Sequence, residues 1–148
     1  MDDLVTSVRL AVLQRTIDTT TVPSAGELAT ALGVTESAVV DAYRELGERH
    51  VYVVSPDQPG RLRMANPFSS VPTPFTVIVR DRKYYGNCIW DALGIVSMLD
   101  GEGTVLARCL DCQQYLALDV KDRHLAKSDG IVHFSVPARH WWDDIIFT

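Results

Sequence analysis

The sequence predicts an α+β protein: an N-terminal three-helix module resembling a winged helix-turn-helix, then a small mixed or antiparallel sheet packed with one helix. Three observations predict it. Apolar residues recur at spacings of three and four over three early segments and again after position 87. Short runs of β-type residues bounded by Gly, Pro and Asp separate and follow them. A stretch with three prolines in eight residues, 67–74, favours extended backbone and divides a module over 1–66 from a second domain over 75–148.

Each element has a local reason. From Asp2 to Asp18, Leu4, Val5, Val8, Val12 and Ile17 mark a helix with a broad apolar face, broken by Thr19-Thr20-Thr21-Val22-Pro23. Ser24 and Glu27 stand at capping-box spacing and open a short helix through Leu32, which Gly33 stops. Thr35 can cap a third helix, Glu36 to Arg49, with Val39, Ala42, Tyr43 and Leu46 inward. Residues 51–54 and 61–64 around Pro56-Asp57-Gln58-Pro59-Gly60 read as a hairpin, the wing. In the second half, 75–80, 104–110, 113–120 and 131–136 read as strands, and a helix begins at Asn87 or Cys88 and closes at Asp100-Gly101.

The 148 residues are 47% hydrophobic and 22% charged, enough apolar content to bury a core and unlike a disordered or low-complexity chain. A net charge of −5 disfavours broad contact with a phosphate backbone. Residues 1–66 alone carry nine acidic and six basic side chains, and the third helix exposes Glu36, Asp41, Glu45 and Glu48 beside Arg44 and Arg49. The module therefore reads as a structural or homodimer-forming unit rather than a DNA reader. No apolar run reaches membrane-spanning length and the first residues are acidic, so the expectation is a cytoplasmic protein that does not enter membranes. Three cysteines, an odd count, argue against a disulfide framework and leave the thiols to bind metal or react.

Two constellations carry that chemistry. Asn87 as N-cap would put the Cys88 sulfur in a helix first turn, where free N–H groups and the macrodipole favour a thiolate, with Asp91 one turn on. Such a pair offers a soft nucleophile and a proton carrier; the bland reading is a packed cysteine and a carboxylate answering the dipole. Cys109-Leu110-Asp111-Cys112 at a strand-to-strand turn fits a knuckle for Zn²⁺ or another soft cation, with Cys88, Asp91 or a histidine as further ligands. Two unrelated surface thiols, or a redox couple, are the alternatives. His133 alternates with Val132 and Phe134 as a strand histidine would, and His50, His124 and His140 show no ligand spacing.

Taken in order, the helical start, the proline-rich crossing, Tyr85-Gly86-Asn87-Cys88-Ile89-Trp90-Asp91-Ala92-Leu93-Gly94, the cysteine-bearing hairpin over 107–120 and Gly130-Ile131-Val132-His133-Phe134-Ser135 resemble the organomercurial (alkylmercury) lyase family. The resemblance implies the fold above and an R–Hg–X substrate whose carbon leaves as a hydrocarbon. It makes Cys88 the attacking, proton-relaying thiol, Asp91 the acid/base carboxylate and Cys109 the family's more structural cysteine. Cys112 is an extra thiol. Where the family's second catalytic cysteine is expected, just before Val132-His133-Phe134, this chain has Ser128-Asp129-Gly130. Two functions follow: protonolysis of a carbon–metal bond with Cys109 or Cys112 as the replacement thiol, or a non-catalytic metal-binding or metal-sensing protein, including a regulator, in which Cys88, Asp91, Cys109 and Cys112 hold Hg, Zn or Cu. Neither requires a resident cofactor. The implied partners are an organometallic or metal-ion ligand and small thiols or an acceptor protein that removes the metal.

Overall fold

Helix-capping chemistry builds the first half. A computed structural model describes residues 3–126 and 130–146. Helices α1 (Asp3–Thr19), α2 (Ala25–Leu32) and α3 (Glu36–Glu48) come first. The capping box forms: Ser24 Oγ accepts the Glu27 N–H at 3.3 Å, and the Ser24 N–H donates to Glu27 Oε2 at 2.7 Å. Gly33 ends α2 at φ 68°, a left-handed conformation that costs glycine little. Thr35 Oγ1 caps α3 by accepting the Ala38 N–H at 3.3 Å. Helix α1 stops at Thr20, whose φ is 60° and whose N–H donates to the Thr16 carbonyl at 2.8 Å. Its last carbonyls are taken by distant side chains: Arg82 Nη1 donates to the oxygens of Ile17 at 2.8 Å and Asp18 at 3.0 Å, and the Tyr84 hydroxyl to Ile17 at 2.9 Å.

Strands β1 (Val53–Ser55), β2 (Gln58–Ala65) and β3 (Phe68–Ser69) form a three-stranded antiparallel sheet in that order. The expected hairpin is there, in the register Val53↔Met64 and Val54↔Leu62. The proline-rich stretch adds a third strand, and Phe68 within it is buried, packed on Tyr84 at 5.6 Å and bridged to Gly86. The second sheet contains β4 (Phe75–Val79), β5 (Arg82–Tyr85), β6 (Gly103–Arg108), β7 (Tyr115–Lys121) and β8 (His124–Leu125), ordered β5-β4-β6-β7-β8. Every pairing is antiparallel, which settles the mixed-or-antiparallel alternative. Helix α4 (Ile89–Leu99) buries Ala92, Ile95 and Val96 in the same core as Val77, Val79, Val105 and Val120, and that core is continuous with the one beneath α1–α3.

Three expectations are corrected. Residues 82–85 form an unforeseen strand: Arg80 and Asp81 turn the chain at φ 49° and 64°, values that a sequence without Asn-Gly does not advertise. Residues 131–136 form no strand. They pair with no ladder; Phe134 instead sets its ring 6.2 Å from Trp90 and 5.0 Å from Trp141. His133 is accordingly exposed rather than held between strands. Third, Cys88 caps α4, not Asn87. A 3-10 turn at Ala138–Asp143 follows, and among the described residues no helix is long and apolar enough to cross a membrane.

Candidate functional site

Chemistry, not size, selects the site. A broad concavity over the outer face of β4, β6 and β7 is lined by Thr76, Leu106, Arg108, Tyr115 and neighbours, with no thiol, carboxylate or imidazole among them. A second hollow of about 440 Å³ lies at the start of α4 and is lined by Cys88 and Asp91, by Met64 and Asn66 of β2 and its end, by Trp90, and by Phe134, Trp141, Trp142, Ile145 and Ile146 from the C-terminal segment. Both halves of the chain thus supply its walls.

Cys88 has extended backbone, φ −140° and ψ 180°, and its sulfur accepts the Asp91 N–H at 3.4 Å. That contact holds the thiol and the carboxylate in one helical turn. Burial pushes the Cys88 thiol above its ordinary value; the Asp91 and Trp90 amides oppose this, while the Asp91 carboxylate adds to it. The expectation of a dipole-stabilised thiolate is therefore corrected: desolvation of a half-buried sulfur outweighs the helix N-terminus, and the resting group is a thiol. Burial also raises Asp91, against hydrogen bonds from Asn87 and Cys88 that lower it. Both groups favour the protonated form more than they would in water.

Asn87 supports this turn. Its Nδ2 donates to Asn66 Oδ1 at 3.0 Å and to the Pro67 carbonyl at 3.2 Å, and Asn66 Nδ2 donates to the Val51 carbonyl at 3.0 Å. The chain of amides runs from the first sheet to the foot of α4. Asn87 Oδ1 is buried without a hydrogen-bond partner among the described residues. On the opposite wall Trp141 donates its indole N–H to the Val136 carbonyl at 2.8 Å, and Trp142 stacks on His50 with ring centroids 4.1 Å apart and 6° between planes.

Cys109 and Cys112 stand elsewhere, at the β6–β7 turn, and neither lines the Cys88 hollow. Among the described residues no group of three or more His, Cys, Asp or Glu side chains is placed to hold one metal ion. The expected four-residue set accordingly falls into two pairs, Cys88 with Asp91 and Cys109 with Cys112. Asp129 lies outside the described residues. Sequence reasoning missed the walls: Met64, Asn66 and the aromatic group Trp90, Phe134, Trp141 and Trp142. The adjacent tryptophans in Arg139-His140-Trp141-Trp142 were the available signal, since an apolar lining is what a small-molecule site needs.

The family model described as alkylmercury lyase matches residues 68–148. Among solved structures, the crystal structure of the mercury-bound form of MerB2 matches with a TM-score of 0.67 at 19% identity, over 86% of this chain and 60% of that one. At that identity the likeness carries the fold, and this chain spans about three fifths of the length of the structure it matches. No curated protein matches the chain.

Proposed function

This chain belongs to the alkylmercury lyase family, and from that premise we propose that the hollow at the start of α4 binds an organomercurial R–Hg–X and protonolyses its carbon–mercury bond. The observation that carries the reading is the single turn holding a protonated thiol and a carboxylate beside an apolar aromatic wall. The Cys88 sulfur bonds to mercury as X⁻ leaves, and its proton passes to the Asp91 carboxylate. Asp91 then returns that proton to the carbon, the C–Hg electron pair becomes the new C–H bond, and R–H departs. Mercury stays on sulfur. Cys88 thus begins as the thiol its burial favours, and burial, by raising Asp91, makes that carboxylate a better acceptor for the proton that the soft cation displaces from sulfur.

Mercury bound by one sulfur gives up carbon poorly. We assign the second sulfur to a small thiol from solution, which binds mercury as its thiolate, its proton left to solvent, entering past Trp90, 67% exposed at the mouth, and a further thiol later carries Hg(II) away. The aromatic wall takes the organic group. On this reading the winged-helix-like module over 1–66 is a support: Asn66 and Met64 shape the hollow, and DNA is not its partner. The non-catalytic metal-binding alternative retains one specific support, the separate Cys109–Cys112 pair. Incubation with methyl- or phenylmercury and excess small thiol, with the hydrocarbon measured in the headspace, tests the proposal. Release by the unaltered protein should fall ~10²-fold or more in Cys88→Ser and in Asp91→Asn, as for removal of a nucleophile or a general acid. Release equal to that of Cys88→Ser would sink it.

A further inference from the structure

The lyase mechanism leaves one pair of nucleophiles unused. Cys109 ends the run of β6, and the turn that follows closes on its backbone: the Cys109 N–H donates to the Gln114 carbonyl at 2.9 Å, and the Gln113 N–H returns to the Cys109 carbonyl at 3.0 Å. This is a tight turn closed by one i to i+4 backbone bond, and it folds Cys112 back toward Cys109. The register Arg108↔Tyr115 pins the turn at its base, and Gln113 at φ 64° completes the reversal. Both thiols are free, Cys109 partly exposed and Cys112 fully so. The Cys109 sulfur receives hydrogen bonds from the Cys112 and Asp111 amides and from the Cys112 thiol, so the two sulfurs meet within the turn.

The ligand count decides what this pair can hold. A closed zinc site takes four donors, and among the described residues no third Cys, His, Asp or Glu joins these two. Two thiolates alone suit a soft cation that accepts linear two-fold coordination. We propose that Cys109 and Cys112 form a second site, apart from the Cys88 hollow, that takes Hg(II) as an S–Hg–S chelate. The dithiol stands on its own geometry; mercury as its cargo rests on the lyase reading. Loading is a ligand exchange without redox: Hg(SR)₂ and the two protein thiols give the chelate and two RSH. One protein then both releases Hg(II) and holds it away from the reacting sulfur.

The test uses the full chain as Cys88→Ser, so that the hollow contributes no sulfur. With HgCl₂ and about 1 mM of a monothiol competitor, native mass spectrometry should find one mercury per chain with two protons lost, because a chelating pair outcompetes separate thiols through its effective concentration. Adding Cys112→Ser, or Cys109→Ser, should weaken retention at least ~10-fold. No retained mercury in Cys88→Ser, retention unchanged by the second substitution, or an internal disulfide formed in place of the chelate under the same reducing conditions would each overturn the proposal. Hydrocarbon release by the unaltered protein is read separately. Its absence removes the lyase reading and leaves the chelate standing, while chelation lost with release intact does the reverse.

Discussion

A cysteine is an unusual helix cap, because sulfur accepts hydrogen bonds weakly and Ser, Thr, Asp and Asn are the preferred N-caps. At the head of α4 Cys88 nevertheless accepts the Asp91 N–H. A position that breaks a local rule is where function is to be sought. Cys88→Ser replaces the weak acceptor with a strong one, so the variant should keep its helix and gain roughly 0.5–1 kcal/mol in chemical denaturation while losing hydrocarbon release. A variant that unfolds more easily than the parent contradicts the cap assignment. The two thiol environments also predict an order of titration. Burial raises the Cys88 thiol, so its thiolate appears only as pH climbs above the ordinary thiol range; amide and thiol donors lower Cys109, so its thiolate persists to lower pH. Alkylation by iodoacetamide, followed site by site by mass spectrometry across pH 6–10, should reach half-maximal rate at lower pH for Cys109 than for Cys88. The reverse order would remove the desolvation argument for the resting thiol.

At the scale of elements, α4 is set by a close approach. A Cβ on Gly86 would fall 2.7 Å from the Ala92 nitrogen and 2.8 Å from its Cα, backbone atoms that cannot swing aside. Gly86→Ala should therefore push the first turn of α4 off β5, cost about 1–3 kcal/mol as overpacking does, and lower hydrocarbon release more than the lost stability explains. Parental release from a folded Gly86→Ala protein would show that the turn tolerates the shift. Much of this architecture was legible because its signals are local. The Ser24–Glu27 box, Gly33 and Thr35 announce α2 and α3, the 3.6-residue period announces α1 and α4, and Cys88 and Asp91 are separated by the spacing that one helical turn joins. What was not legible depends on distant partners. The reversal at Arg80-Asp81 uses residues without a turn signature, and alternation over 131–136 suggested a strand although Phe134 is claimed by Trp90 and Trp141. The thiolate expectation for Cys88 failed for the same reason, since burial is a tertiary quantity. Likewise the four expected ligands were joined on residue type alone, and the fold keeps the β6–β7 turn away from the hollow.

Across the whole molecule the first half is bound to the second by function-shaping contacts rather than by a loose tether. Arg82 and Tyr84 bind the last carbonyls of α1, the Val51–Asn66–Asn87 amide chain reaches the start of α4, and His50, at the turn after α3, stacks on Trp142 of the pocket wall. In the third helix Arg44 and Arg49 are engaged by Asp41 at 2.9 Å and Glu45 at 2.6 Å, which supports the proposed reading of the module as a support rather than a phosphate binder. The stack gives the sharpest global test. His50 is exposed, so His50→Ala removes little buried area and should lower global stability by no more than the ring pair it gives up. It does remove a ring pair worth ~0.5–1.5 kcal/mol, the anchor of one wall of the hollow. If the module exists to hold that wall, the KM for phenylmercury should rise about 2- to 10-fold while kcat changes little, because on the proposed reading Trp142 belongs to the wall that receives the organic group and not to the proton path. His50→Phe, which preserves the stack, should restore the parental KM. A KM unmoved by His50→Ala would mean that the C-terminal segment keeps its place without the first half, and the support role assigned to the module would fall with it.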